Sequence, residues 1–173
     1  MLKTKLLICI ATWMAVTSAG AQTVTGNARY VDPFIGVDGG GNVFPGVCTP
    51  FGMVKLGPDC GNKDWNAGWN RQRCPVRLRP MTGDIPIEDY SSPRANENTV
   101  LGEYKVELPR YRTAARLTAL SKAGFHEYTF PSSKDSKILF DLGSCLALQI
   151  CETQRIVGSE VRILSNSTIE GYT

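Results

Sequence analysis

Between Gly102 and Leu108 the chain reads GEYKVEL, and this strict alternation constrains the fold more than any other feature. In an extended chain Tyr104, Val106 and Leu108 point to one side and Glu103, Lys105 and Glu107 to the other, which is the signature of a half-buried strand. Arg116–Leu120 and His126–Phe130 read as two further strands, separated by a turn around Lys122, Ala123 and Gly124. The run KILFDL, Lys137–Leu142, is apolar and of strand length, and CLALQIC, Cys145–Cys151, reads as strand or short helix, with its neighbours favouring strand. Glu160–Leu164 and Thr168–Tyr172 are expected to pair as a hairpin around Ser165, Asn166 and Ser167. No segment carries a capped helical stripe, and there is no repeat at solenoid or propeller periods. The expected fold is all-β, an antiparallel β-sandwich.

A second stretch, Tyr30 to Asp59, is rich in glycine, with four prolines and three phenylalanines and almost no charge between Asp38 and Lys55. A disordered linker would be polar throughout, and a core strand would not contain Gly39, Gly40 and Gly41 in a row. We read it as an ordered loop system whose backbone comes close to a ligand or a neighbouring domain. Pro33, Pro45, Pro50 and Pro58 stiffen its flanks, Phe34, Phe44 and Phe51 anchor it in apolar surroundings, and Asp32 caps a turn before Pro33.

The chain opens with the features of an export signal: Lys3 and Lys5, an apolar run from Leu6 to Val16, and Ala19-Gly20-Ala21 as the cleavage pattern. Residues 1–21 are thus expected to be removed, leaving 22–173 as one domain that is periplasmic or secreted, with no membrane span. Of 19 basic residues 17 then remain against 16 acidic ones, a net charge of +1. That balance argues against nucleic-acid and polybasic membrane roles. Cys48, Cys60, Cys74, Cys145 and Cys151 remain, an odd number without a CxxC pair, so neither a full disulfide framework nor a zinc ribbon is indicated. Cys48 and Cys60 are expected as buried thiols, with a bridge between them as the alternative.

VDPFIGVDGGGNVFPGVCTPFGMVKLGPD at Val31–Asp59 strongly resembles the opening of glycoside hydrolase family 92, the exo-acting α-mannosidases. Gly102–Pro131 and Val157–Thr173 resemble the next two blocks of that family, in family order. The resemblance implies an N-terminal β-sandwich domain that packs, in the family, against a C-terminal helical barrel. It also implies calcium-dependent, inverting removal of terminal α-mannosyl units from glycoprotein N-glycans. The general acid, general base and most calcium ligands belong to the helical domain, so this chain is expected not to be catalytic alone; the alternatives are a free-standing carbohydrate-binding module and a non-functional remnant of a disrupted gene. Its expected partners are mannose-containing glycans and that helical domain. Family members carry a segment resembling GFSHxHxSGTG after the Trp-rich loop; here Trp69 runs instead into NRQRCPVRLRP, a burst of arginines that suggests a deletion or a reading-frame slip.

No pair of acidic residues is assigned to the two-carboxyl arrangement that inverting hydrolysis requires. Trp65 and Trp69, in DWNAGW, are the candidates for sugar contact, because an indole face stacks on the C–H face of a pyranose. The alternative is that both pack in a turn or against the helical domain. Asn42, with Gly40 and Gly41, completes the candidate substrate-binding set, and Asn66 is a further possible hydrogen-bond partner. The triple glycine is not a phosphate loop, since it lacks the Lys-Ser/Thr pair and the following helix. His126, the lone histidine, reads as a structural residue rather than a metal ligand or triad member. Asn166-Ser167-Thr168 fits a glycosylation sequon, expected to be unmodified behind a bacterial-type signal.

Overall fold

The computed structural model describes residues 25–37, 43–60, 76–77, 80–84, 90–140 and 157–172. Among these residues, every regular element after a single 3-10 turn at Gly26–Tyr30 is a strand. They are β1 (Val47–Cys48), β2 (Lys55–Leu56), β3 (Asp59–Cys60), β4 (Val76–Arg77), β5 (Pro80–Thr82) and β6 (Ala95–Val100). The second half adds β7 (Glu103–Leu108), β8 (Thr113–Ala119), β9 (Gly124–Thr129), β10 (Ser136–Ile138), β11 (Glu160–Ser165) and β12 (Thr168–Tyr172). All pairings are antiparallel, and the fold is the expected β-sandwich. Among the described residues no helix is long and apolar enough to cross a membrane.

The largest sheet has the order β6-β7-β8-β9. Its register sets Tyr104 opposite Leu117 and Val106 opposite Ala115, so that the apolar sets of β7 and β8 share one face. Tyr104, Val106, Leu108, Ala115, Leu117 and Ala119 are all buried there, as the alternation requires. Over them lie the two-stranded pairs β1-β2 and β5-β10, which contribute Val47 and Met81 to the core, with Tyr90 beside them and Leu56 and Leu139 packed at its margin. Burial of these side chains is the main stabilising term, at about 1.5–3 kcal/mol for each large one.

Several polar groups drawn into the core are paired, whereas the Thr49 and Thr82 hydroxyls are buried without a partner among the described residues. The Tyr104 hydroxyl donates to Glu97 at 2.6 Å. Burial, reinforced by the Glu97 carboxylate, pushes that phenol well above its ordinary pKa and keeps it a donor. Tyr111 is buried in the β7–β8 turn and donates through its hydroxyl to the Tyr90 carbonyl oxygen. Arg110 Nη1 donates to the Ser91 carbonyl at 2.7 Å, clamping the same turn to the segment before β6.

The strands expected at 102–108, 116–120 and 126–130 are present with shifts of a residue or more at their ends, and the 160–172 hairpin forms as expected. Of KILFDL only the start is strand, within β10, and 141–142, like Cys145–Cys151, lie outside the described residues. Two expectations are corrected. Phe51 anchors nothing: it stands fully exposed with φ 57, at a turn where Gly52 N–H donates to the Thr49 carbonyl oxygen at 2.9 Å. Cys48 is a free thiol, but an exposed one, because the two-residue strand β1 turns Val47 into the core and therefore Cys48 outward. The side chain of Cys60 lies outside the described residues. Asp32 does cap a turn, its Oδ1 accepting from the Phe34 N–H at 2.9 Å.

Candidate functional site

The sequence-derived sugar-binding set, Gly40, Gly41, Asn42, Trp65 and Trp69, lies outside the described residues, as do Cys74 and most of the arginine burst. What the structure defines is how the two segments carrying that set are rooted. Val37 and Val43 flank the glycine-rich segment. Its ends meet, since a Cβ built on Gly36 would lie 2.9 Å from Val43 Cγ2. The Trp-rich segment is closed in the same way: β3 and β4 pair with Asp59 opposite Arg77 and Cys60 opposite Val76.

The two roots adjoin, and Phe44 is the reason. Its ring fills the space that side chains at position 46 or 57 would occupy, so glycine is required at both for the backbones to approach it. Lys55 Nζ sits over the same ring, 4.4 Å from its centroid. The next residue, Pro45, is buried, and its carbonyl oxygen lies 2.9 Å from the Thr99 hydroxyl, which ties the root to β6. Gly57 and Pro58 lead directly into β3, so the described flanks of the glycine-rich and Trp-rich segments adjoin. This explains the glycine and proline content of the stretch better than loop flexibility does. The residues serve close packing at a junction.

His126 is exposed at the edge of the large sheet, where its Nδ1 lies 2.8 Å from the Tyr128 hydroxyl. The rings of His126 and Tyr128 in β9 and of Phe130 just beyond it follow one another, with centroid separations of 5.7 and 6.3 Å. Among the described residues no group of three or more His, Cys, Asp or Glu side chains converges on a possible metal position. The described residues therefore offer no carboxylate cluster for a calcium ion.

Sequence reasoning missed the outer face of the large sheet. Lys105, Arg116 and Glu127 stand in one row across β7, β8 and β9, and Glu107, Ala114 and Thr129 in the next. Arg116 is paired with Glu103 and, at 3.1 Å, with Glu127; Lys105 Nζ lies 2.7 Å from Glu103. Partial burial would raise the Glu103 carboxyl, but hydrogen bonds and charge from Lys105 and Arg116 outweigh it and hold the group below the usual carboxylate range. The alternation of polar residues in β7 marks this face as solvated, but only the strand register shows which groups meet on it.

Two comparisons bear on this arrangement. The model for the glycosyl hydrolase family 92 N-terminal domain matches residues 30–78 and 72–173, two segments that overlap inside the arginine burst. Structures of the family GH92 alpha-mannosidase from Bacteroides thetaiotaomicron are similar to the chain. One, in complex with mannoimidazole, has a TM-score of 0.72 and 26% identity over 83% of this chain; another has 0.73 and 27% over the same share. The chain spans 22% and 23% of the length of those two chains. A comparison with curated proteins finds no match. By the extent of the family match and the shared sandwich, the chain belongs to glycosyl hydrolase family 92, as its N-terminal domain.

Proposed function

We propose that this chain forms the substrate-side wall of an exported, calcium-dependent α-mannosidase that removes terminal mannose from glycans such as those of glycoproteins. The observation that carries the reading is the junction at Phe44, where the glycine-rich and Trp-rich segments are rooted side by side on a sandwich similar to that of an α-mannosidase. In this reading Trp65 and Trp69 give the indoles that stack on the C–H face of the sugar, and Asn42 gives the amide that meets its hydroxyls. The paired carboxyls of an inverting mechanism and the calcium ligands come, in this reading, from a helical domain that packs against the wall. Residues 1–21 direct export, and the chain has no hydrolytic activity of its own.

In an enzyme assembled from this chain and the family's helical domain, Trp65→Ala or Trp69→Ala is expected to reduce kcat/KM on an α-mannoside by about tenfold or more, as loss of a stacking contact does. Unchanged kinetics in both variants would contradict the reading. A second reading, a remnant of a disrupted gene, is favoured by one observation: the family match breaks into two segments at residues 72–78. Resequencing the coding region decides it, because a frame that runs uninterrupted through 71–79 in repeated reads removes the slip.

A further inference from the structure

We infer that the outer face of the β6-β7-β8-β9 sheet is itself a binding surface for a neutral oligosaccharide. The face lies across the sandwich from the Phe44 junction, because β1 and β2 pack on the opposite, buried side of the sheet. It holds a hollow of about 400 Å³ whose walls include Asn96, Asn98, Lys105, Glu107, Arg116 and Glu127. The dip has a simple origin: in the row Glu107, Ala114, Thr129 the middle side chain is a single methyl between two longer ones. A second hollow of about 260 Å³ adjoins it and shares Arg116 and Glu127 as a common wall. Phe125 lines that second hollow with its ring half exposed, next to Thr118 across the strand pair.

The chemistry selects a sugar over other ligands. Three carboxylates, Glu103, Glu107 and Glu127, face two cations, Lys105 and Arg116, so the surface has no positive excess to hold a phosphate. Two of the three carboxylates are engaged by cations, and no metal-binding group converges among the described residues. The walls are too polar for an apolar helix face. Amides, carboxylates and a guanidinium beside an exposed aromatic ring are instead the groups that pair with hydroxyls and stack on a pyranose. They are also held in place beforehand: Asn96 Nδ2 donates to Glu107 at 2.8 Å, and Arg116 is fixed between two glutamates, so little side-chain freedom is lost on binding. Two hollows sharing a wall suit two or more linked sugar units rather than one.

The choice of mannose as probe rests on the function proposed above; the location does not. Nitrogen-15 NMR titration of the chain with α-mannobiose and, separately, with cellobiose should give saturable shifts at the side-chain amides of Asn96 and Asn98 and at Arg116 for at least one of the two. Phe125→Ala and Asn98→Ala, both at exposed positions, should each weaken that binding about tenfold, the effect of one good contact. The dispersed spectrum reports folding in each variant, and either variant alone decides the outcome. Absence of saturable shifts on this face with both sugars overturns the inference, as does undiminished binding in either folded variant. Shifts confined to the indoles of Trp65 and Trp69 would also overturn it while leaving the proposed function standing.

Discussion

The large sheet and the β11-β12 hairpin are built from the same kind of sequence and end in opposite states. In β7 and β8 alternate residues vanish from solvent, with Tyr104, Leu108 and Leu117 at most 1% exposed. In the hairpin Val161, Ile163 and Ile169 also share one face, by the pairings Val161 with Gly171 and Ile163 with Ile169, yet they stand 45%, 81% and 44% exposed. Alternation thus specifies a strand and its two faces, while burial depends on whether a second layer lies over the apolar one. For β7 and β8 that layer is β1-β2 with β5-β10. A two-stranded hairpin is marginal in water by itself, and the exposed apolar face of this one adds little to its stability.

This contrast can be broken or sharpened by substitution. The largest effect is expected at Leu117, where Leu117→Ala removes a core side chain and should cost about 2–5 kcal/mol in urea unfolding. A cost below that of an exposed position would mean that the core is not where the burial pattern puts it. Next comes Tyr111→Phe, which deletes the buried hydrogen bond to the Tyr90 carbonyl oxygen, for about 0.5–1.5 kcal/mol by the same measurement.

Acidification should have a smaller effect. Because the Glu103 carboxyl titrates below its ordinary value in the folded chain, its pairing with Lys105 and Arg116 contributes stability above the unfolded pKa of about 4.5 and loses it as the pH falls through the lower, folded value. Glu103→Gln should therefore flatten the acid limb of stability against pH, and an unaltered limb would count against the pairing. The smallest effect belongs to the hairpin: Ile163→Ala should change global stability by no more than about 0.5 kcal/mol. In hydrogen exchange the hairpin amides should open locally while those of β7 and β8 exchange only with global unfolding.

Much of the large sheet was legible in the sequence because its signal is local. GEYKVEL carries its period within one strand, and the 120–124 turn is closed by the Leu120 N–H donating to the Ala123 carbonyl at 2.8 Å. By contrast β6, ANENTV, was missed: its positive φ at Asn96 and the register shift between Ala95 and Asn98 break the alternation, and only Thr99 among its residues is fully buried. The Phe51 expectation failed because aromatic content alone does not say which way a turn points its residues. Phe44 is legible as an apolar anchor of its loop, but the junction it makes depends on contacts with Gly46 and Gly57 that no local pattern encodes. The polar hollow was invisible for a related reason, since its walls come from four strands brought into register.

The central claim is that this sandwich supplies the substrate-side wall of a mannosidase and not its catalytic groups. It is tested most directly by mannose release from an α-mannoside in calcium, measured for the purified chain alone and again after addition of the family's helical domain. The account predicts no release above the uncatalysed background from the chain alone and measurable release from the combination. Steady turnover by the chain alone would contradict it.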